Sequence, residues 1–303
     1  MSALNDTSGL PPDVCARTPW CLDENGQLDY IPNLAGNAFF LALFALAIPL
    51  QTGLAIRHKT WGYLVAMLGG IILEIVGYVG RLQLHDNIFN KNDFITYIVG
   101  LTIGPAFFSA AIYLSISRII TLFGDGLCWL QPKTITLVFV GFDFFSLVLQ
   151  ATGGALASTA NTHSATQTGI NIMIAGLSTQ VASTTAFCLL CLQLAWSIRQ
   201  HPEKVDDSYR QFRRTLRFRL YLWAIGIATI AILIRCTFRV AELSQGFHGS
   251  IANSQPLFMI LDGTMMIICV YALTITHPGI MLGSLWNLGA FYWRSKKLPP
   301  AEK

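Results

Sequence analysis

Seven long apolar runs constrain the fold of this chain more than any other feature. They lie near residues 31–56, 61–82, 94–122, 134–156, 169–196, 220–242 and 256–277. Each is long enough to cross a bilayer, which takes about 20 mainly apolar residues. Only 12% of the 303 residues are charged, and one soluble core of this size could not enclose seven such runs. The sequence therefore predicts an all-α membrane protein with a bundle of seven transmembrane helices.

The distribution of lysine and arginine predicts the orientation of the bundle, because these residues concentrate in cytoplasmic loops. With the N-terminus outside, fourteen of the twenty lie in inner loops and the tail, whereas only Arg17 and Lys91 lie outside. We therefore expect an extracellular N-terminus and a cytosolic C-terminus. The expected division is an extracellular segment 1–30, a transmembrane domain 31–279 and a cytosolic tail 280–303.

Two features of the N-terminal segment agree with an extracellular position. The triplet at Asn5 is an N-glycosylation sequon, which is modified only on the lumenal side of the membrane. Cys15 and Cys21 are either a small disulfide, which an oxidising compartment would permit, or two free thiols.

Charged residues inside the predicted spans are the strongest site candidates, because each costs about 2.5–3.5 kcal/mol in a bilayer. Six of them form two layers of depth: Glu74, Arg81, Arg235, Arg239, Glu242 and Asp262. With a rise of about 1.5 Å per residue, Glu74, Arg235 and Asp262 lie deepest, roughly 20–22 Å from the inner surface. Arg118 lies about one turn from that surface, and we expect it to extend to the lipid headgroups.

Spacing along the second and sixth spans predicts how these charges pair. The segment EIVGYVGR places Glu74, Tyr78 and Arg81 on one helical face with the acid deepest, and RCTFRVAE has the reverse order of charge. We therefore expect the pairs Glu74–Arg235 and Arg81–Glu242 within a charge-balanced network, as desolvation requires. Two interpretations stay open for this network: a structural clamp, and the polar lining of a substrate cavity.

Asp143, near the middle of the fourth span, falls outside this balance. Gln150 follows it on a similar face, and Gln180 lies on the fifth span, where glutamines hydrogen-bond between helices. Asp143 is either a protonated structural acid or a proton, cation or amine site, and it is the best candidate for carrying a proton. Aromatic residues of the third and fourth spans either hold the apolar part of a ligand or serve only in helix packing or lipid contact: Phe107, Phe108, Tyr113, Phe142, Phe144 and Phe145.

Several chemistries are excluded by what the sequence lacks. No GxxxxGK[ST] motif occurs, so the chain has no P-loop of its own. The six histidines lie in loops or at span ends, whereas a membrane zinc hydrolase needs histidines that face one another inside the bilayer. We therefore expect no catalytic residues, no metal, no cofactor and no enzymatic activity. Transport, lipid flipping and sensing remain.

Seven short motifs occur in the order and spacing of a known family. They are YIPNLAGNAFF, EIVGYVGR, IGPAFFSAAIYLSISRII, DFFSLVLQATGG, GLSTQ, RCTFRVAE and HPG, and they extend from about Tyr30 to Gly279. On these motifs the chain resembles the fungal lipid-translocating exporter family, the seven-span proteins linked to 7-aminocholesterol resistance, sphingoid long-chain-base export and protoporphyrin uptake. The resemblance implies that nine residues lie at the family's polar positions: Glu74, Arg81, Asp143, Gln150, Gln180, Arg235, Arg239, Glu242 and Asp262.

The resemblance implies a translocator of amphiphilic, lipid-like molecules in the plasma membrane or another endomembrane, which confers resistance to toxic amphiphiles. The expected partners are membrane lipids and a sphingoid base, a sterol-like compound, a phospholipid or a porphyrin, and no nucleic acid. Without a P-loop, the chain is expected to be a passive or ion-coupled carrier with a cavity open to the outside. The alternatives are a seven-helix lipid sensor that regulates other flippases, and a porphyrin or haem transporter.

Overall fold

The computed structural model describes residues 30–123, 131–159, 162–201, 209–244 and 253–287. Within these ranges it contains seven helices that are long and apolar enough to cross a membrane, and it contains no strand. The predicted all-α, seven-helix fold is confirmed. Asn5, Cys15 and Cys21 lie outside the described residues, so their glycosylation and pairing stay predictions, as does the orientation of the bundle.

The helices are α1 (Leu34–His58), α2 (Trp61–Asp86), α3 (Lys91–Phe123), α4 (Pro132–Thr159), α5 (His163–Gln200), α6 (Leu216–Ser244) and α7, which joins Gln255–Phe258, the π-helical Met259–Thr264 and Met265–Ile275. Three short segments complete the description: the helices Arg210–Arg213 and Pro278–Met281, and the 3₁₀ turn Gly283–Asn287. Several helices exceed the apolar runs. Thr162, for example, caps α5 by accepting a hydrogen bond from the Ala165 amide at 3.4 Å, so polar residues before position 169 are helical as well.

The helices pack in chain order and close into a ring, because α7 contacts α1 as well as α6. α3 lies at the centre and contacts α2, α4, α6 and α7, so most of its residues are buried. We call the end of the bundle at which α1, α3, α5 and α7 begin the predicted outer end, and the opposite end the predicted inner end.

Glycines bring two pairs of neighbouring helices into backbone contact. A Cβ added to Gly100 of α3 would lie 2.7 Å from the Gly77 amide nitrogen of α2, and one added to Gly153 of α4 would lie 2.7 Å from the Gly169 carbonyl of α5. Small residues allow such close approach between helices in a membrane. The pairs α2–α3 and α4–α5 are therefore each tightly joined.

The predicted inner end is covered by the segment that follows α7. Arg118 Nη1 donates a hydrogen bond to the Trp286 carbonyl at 2.7 Å, and the guanidinium lies 4.7 Å from the centre of the Trp286 ring. The expectation that Arg118 extends to the headgroups is therefore wrong, because its side chain is covered by protein. Tyr63 also packs edge-on against Trp286, so this ring closes the inner end between α2 and α3.

Candidate functional site

A cluster of buried charges joins α2, α6 and α7. Arg235 Nε lies 2.9 Å from Asp262 Oδ1 in an ion pair whose N–H direction does not meet hydrogen-bond geometry, and Arg235 Nη2 lies 3.7 Å from Glu74 Oε1. The acids are fully buried and Arg235 is 2% exposed. The predicted Glu74–Arg235 contact is confirmed, but Asp262 lies closer to the guanidinium than Glu74 does.

The cluster continues along α6 to a second arginine. Arg239 Nη1 donates to Glu242 Oε2 at 2.7 Å, and Arg239 Nε lies 3.8 Å from Asp262 Oδ1. Asp262 therefore bridges the two arginines, which sit one helical turn apart. We call Glu74, Arg235, Asp262, Arg239 and Glu242 the ionic chain.

Arg81 does not join the ionic chain, and its predicted pairing with Glu242 is wrong. Its Nε donates to Asn37 Oδ1 at 3.1 Å and its Nη2 donates to the Tyr30 hydroxyl at 2.8 Å. The guanidinium also lies 3.8 Å from the centre of the Phe258 ring. The pairing fails because Glu242 is three residues from Arg239 on the same helix, where a local ion pair forms first.

Backbone irregularities in two helices hold the ionic chain in place. Pro105 has no amide hydrogen, so the carbonyl four residues before it, that of Leu101, lacks its helical donor. Arg235 Nη2 donates to that carbonyl. Asp262 lies in the π-helical turn of α7, a widened turn of the kind that is frequent at functional sites.

Tyr78 projects into the same region from α2. Its ring stacks on Phe44 at 5.6 Å and lies 5.5 Å from Phe40, which fixes the ring against α1. Its hydroxyl would lie 2.6 Å from a Cβ on Gly263, the residue after Asp262, so the glycine makes room for it. The Tyr78 hydroxyl is buried and forms no hydrogen bond with the described residues.

A second polar cluster lies between α3, α4 and α5. The Tyr113 hydroxyl donates to Asp143 Oδ2 at 3.0 Å, and Asp143 Oδ1 accepts no hydrogen bond from the described residues. Tyr113 packs edge-on against Phe187 at 4.6 Å, so aromatic rings border the carboxyl. Asp143 contacts no arginine among these residues, as its place outside the charge balance predicts.

Glutamines extend this cluster toward the predicted outer end. Gln150 Nε2 donates to Gln180 Oε1 at 3.2 Å and to Ser146 Oγ at 3.4 Å, and Ser146 Oγ donates to the Asp143 carbonyl at 2.8 Å. We call Asp143, Ser146, Gln150 and Gln180 the amide line. The close approach of Gly176 to Gln150 allows the two helices to meet here.

A crevice of about 520 Å³ opens between α3, α4 and α5 near the predicted outer end. This volume falls within the range of about 300–1,000 Å³ that is usual for small-molecule sites. Its walls are mainly aliphatic and include Ile95, Ile98, Val99, Ile103, Ala155 and Met173. Four polar residues line it. Lys91 and Thr166 lie near the starts of α3 and α5, whereas Gln150 of the amide line and Thr102 lie farther along their helices, and the Thr102 hydroxyl accepts from Arg239 Nη2 at 3.4 Å. The crevice thus borders both polar clusters.

The residues predicted from sequence as site candidates differ in whether they line the crevice, lie in the buried core or face the surface of the bundle. Of the ten polar candidates, Gln150 is the one among the residues that line this crevice. Of the two interpretations of the α4 aromatic residues, the structure favours lipid contact, because Phe142, Phe144 and Phe145 are each more than half exposed on the outer surface of the bundle. Phe108 and Tyr113 are buried in the core instead.

Sequence reasoning missed three residues that the site depends on: Thr102, Asn37 and the carbonyl of Leu101. Uncharged polar residues are common in membrane helices, so Thr102 and Asn37 gave no distinct signal. Pro105 did give one, because a proline inside a span leaves a carbonyl free for another donor.

Comparison with known proteins agrees with this architecture. Residues 67–284 match the family described as RTA1 like protein. The sphingoid long-chain base transporter RSB1 of Saccharomyces cerevisiae is 31% identical over 297 residues, which span 89% of this chain and 75% of the relative. Protein RTA1 and protoporphyrin uptake protein 1 of the same yeast are 29% and 27% identical, over 72% of this chain and 66% and 69% of theirs. No solved structure gives a significant match. The names of these relatives support a membrane transporter role rather than an enzyme.

Proposed function

The chain belongs to the RTA1-like family, and on that premise we propose that it translocates amphiphilic lipids that carry an amine. The observation that carries the proposal is the crevice between α3, α4 and α5, which combines aliphatic walls with contact to two buried polar clusters. A lipid-like molecule needs both surroundings at once, one for its tail and one for its headgroup.

The aliphatic walls of the crevice suit a hydrocarbon tail. Val99 and Ala155 are exposed on the surface of the bundle, so a tail can enter sideways from the bilayer. A tail that moves from lipid to protein gains little hydrophobic energy, because both surroundings are apolar. Recognition must therefore come from the headgroup.

The amide line offers a route for the headgroup. It begins at Gln150 on the crevice wall and ends at Asp143, about 10 Å farther along α4 at 1.5 Å per residue. Amides and hydroxyls can bind the hydroxyls of a sphingoid base, and the free oxygen of the Asp143 carboxyl can accept its ammonium. The acidic end of the line favours a cationic headgroup over the propionates of a porphyrin.

The substrate class is supported by the relatives as well. The transporter of sphingoid long-chain bases matches 89% of this chain, whereas the protoporphyrin uptake protein matches 72%. We place the protein in the plasma membrane with its crevice toward the outside, where export or uptake of such lipids confers resistance to toxic amphiphiles.

Reconstitution tests the proposal directly. Purified protein in liposomes should accelerate the movement of a fluorescent sphingoid base between leaflets, and an Asp143→Asn variant should lose this activity. Phe142→Leu is the matched control. Phe142 is next to Asp143 in sequence but exposed on the surface of the bundle, so this variant should transport normally.

The alternatives are separate outcomes of the same assay. Transport of protoporphyrin but not of the sphingoid base would replace the amine-bearing substrate with an anionic one. Binding of the base without movement between leaflets would favour a lipid sensor that acts on other flippases.

A further inference from the structure

The carboxylates and arginines of the ionic chain are unequal in number. Three acids, Glu74, Asp262 and Glu242, contact two arginines, Arg235 and Arg239. The nearby third arginine, Arg81, is held by neutral groups and contacts no carboxylate among the described residues. One acid of the chain therefore lacks a positive partner of its own.

The contacts identify Glu74 as that acid. Glu242 accepts a hydrogen bond from Arg239 at 2.7 Å, and Asp262 lies 2.9 Å from Arg235 and 3.8 Å from Arg239. Glu74 has one contact with an arginine, at 3.7 Å. Neither of its oxygens accepts a hydrogen bond from the described residues, and its side chain is fully buried.

A buried carboxylate in this position neutralises itself by taking up a proton. The groups that face it from other helices are Arg235 and Arg239 of α6, and Asp262 and Cys269 of α7. On α2 itself Tyr78 is near, and α3 presents Gly104, whose missing side chain leaves room for the carboxyl. Asp262 competes with Glu74 for Arg235, because both carboxylates contact that guanidinium and Asp262 lies closer to it.

A metal cation fits this position less well than a proton. Hard cations take about six or more oxygen ligands in proteins, and the positively charged guanidinium of Arg235 lies 3.7 Å from this carboxyl. Within the part of the chain that the structure describes, no group of three His, Cys, Asp or Glu residues could hold a metal ion.

We propose that Glu74 is a proton-binding site, occupied in the arrangement described here, and that its proton is released when Arg235 turns from Asp262 toward Glu74. In a carrier, this exchange would couple lipid movement to a proton gradient, a consequence that rests on the proposed function. The proton-binding site itself does not rest on it.

Infrared difference spectroscopy of the purified protein tests the site without any transport assay. The spectrum of the wild type minus that of Glu74→Gln should contain the C=O stretch of a protonated carboxyl. Wild type minus Asp262→Asn should contain the same band, because loss of Asp262 frees Arg235 to pair with an ionised Glu74. Both differences should persist in an Asp143→Asn background, since Asp143 belongs to the other cluster.

Two outcomes would overturn the proposal. One is a Glu74→Gln difference that shows only the loss of an ionised carboxylate. The other is a protonated band that disappears in Asp262→Asn but stays in Glu74→Gln, which would place the proton on Asp262. If Glu74→Gln does not fold, wild-type protein with isotope-labelled glutamate carboxyls gives a further test, because a protonated band that does not shift with the label would overturn the proposal.

Discussion

Arg235 donates to the carbonyl of Leu101, a carbonyl that the helix of α3 cannot satisfy because Pro105 lacks an amide hydrogen. Pro105 and Arg235 are 130 residues apart in sequence, yet the carbonyl that Pro105 leaves without a donor is the one that accepts a hydrogen bond from Arg235. A buried guanidinium gains an acceptor, and an interrupted helix gains a donor.

Replacement of Pro105 by alanine tests this relationship. Alanine would return an amide donor to Leu101, and removing an interior proline is usually worth about 3 kcal/mol of helix stability. We expect a smaller gain here, because Arg235 then loses an acceptor. In an Arg235→Gln background, Pro105→Ala should stabilise the protein more than it does in the wild type. The difference between these two effects on the free energy of unfolding should be about 0.5–3 kcal/mol, measured by thermal unfolding.

Pro49 of α1 provides the control for this comparison of single and double variants. It also lies inside a helix, but α7 separates α1 from α6 in the ring. Pro49→Ala and Arg235→Gln should therefore add within about 0.5 kcal/mol. Equal coupling for both prolines would contradict a specific bond between Arg235 and Leu101.

Arg81 of α2 and Arg235 of α6, which are both buried, should respond differently to substitution. Arg235→Gln leaves Asp262 and Glu74 without their nearest positive charge, and breaking a buried pair costs about 3–5 kcal/mol. Arg81→Gln removes two hydrogen bonds to neutral groups, but it leaves no contacting carboxylate among the described residues without its positive partner. Thermal unfolding in detergent should rank Arg235→Gln as the less stable variant, and the opposite ranking would contradict the ionic chain.

Filling the crevice should block transport without unfolding the protein. Gly154 lines the crevice, and a Cβ there meets only the Met173 sulfur, at 3.6 Å. Gly154→Phe should therefore reduce movement of a labelled sphingoid base by at least about tenfold, equivalent to about 1.4 kcal/mol. Gly141→Phe on the same helix, where a Cβ meets nothing within 4 Å, should transport as the wild type does. Equal activity of the two variants would remove the crevice from the pathway.

The orientation of the bundle is open to a simple test in a eukaryotic host. We expect Asn5 to be glycosylated and an epitope tag placed after Arg294 to remain cytosolic, because positive residues concentrate in the loops on that side. Digestion with a glycosidase should shift the protein's mobility, and an Asn5→Gln variant should not shift. A tag protected within the lumen would reverse the predicted outer and inner ends.

The sequence predicts the helices and the depth of the charges well, because both follow from hydrophobic length and helical rise. It predicts contact between Glu74 and Arg235 for the same reason. It does not predict the partners of Arg81, because Asn37 and Tyr30 are neutral and carry no pairing signal. Nor does it predict the crevice, because its shape depends on the packing of α3 against α4 and α5 and not on a sequence motif.

The glycine contacts described for α2–α3 and α4–α5 have a mechanical consequence. Helices whose backbones touch cannot slide or separate without losing many contacts at once, so each pair should move as one rigid block. The crevice runs along the seam between these blocks, where α3 faces α4. Parting of the blocks at that seam would widen the crevice toward Asp143, and it would move Thr102 of α3, which accepts a hydrogen bond from Arg239 of the ionic chain.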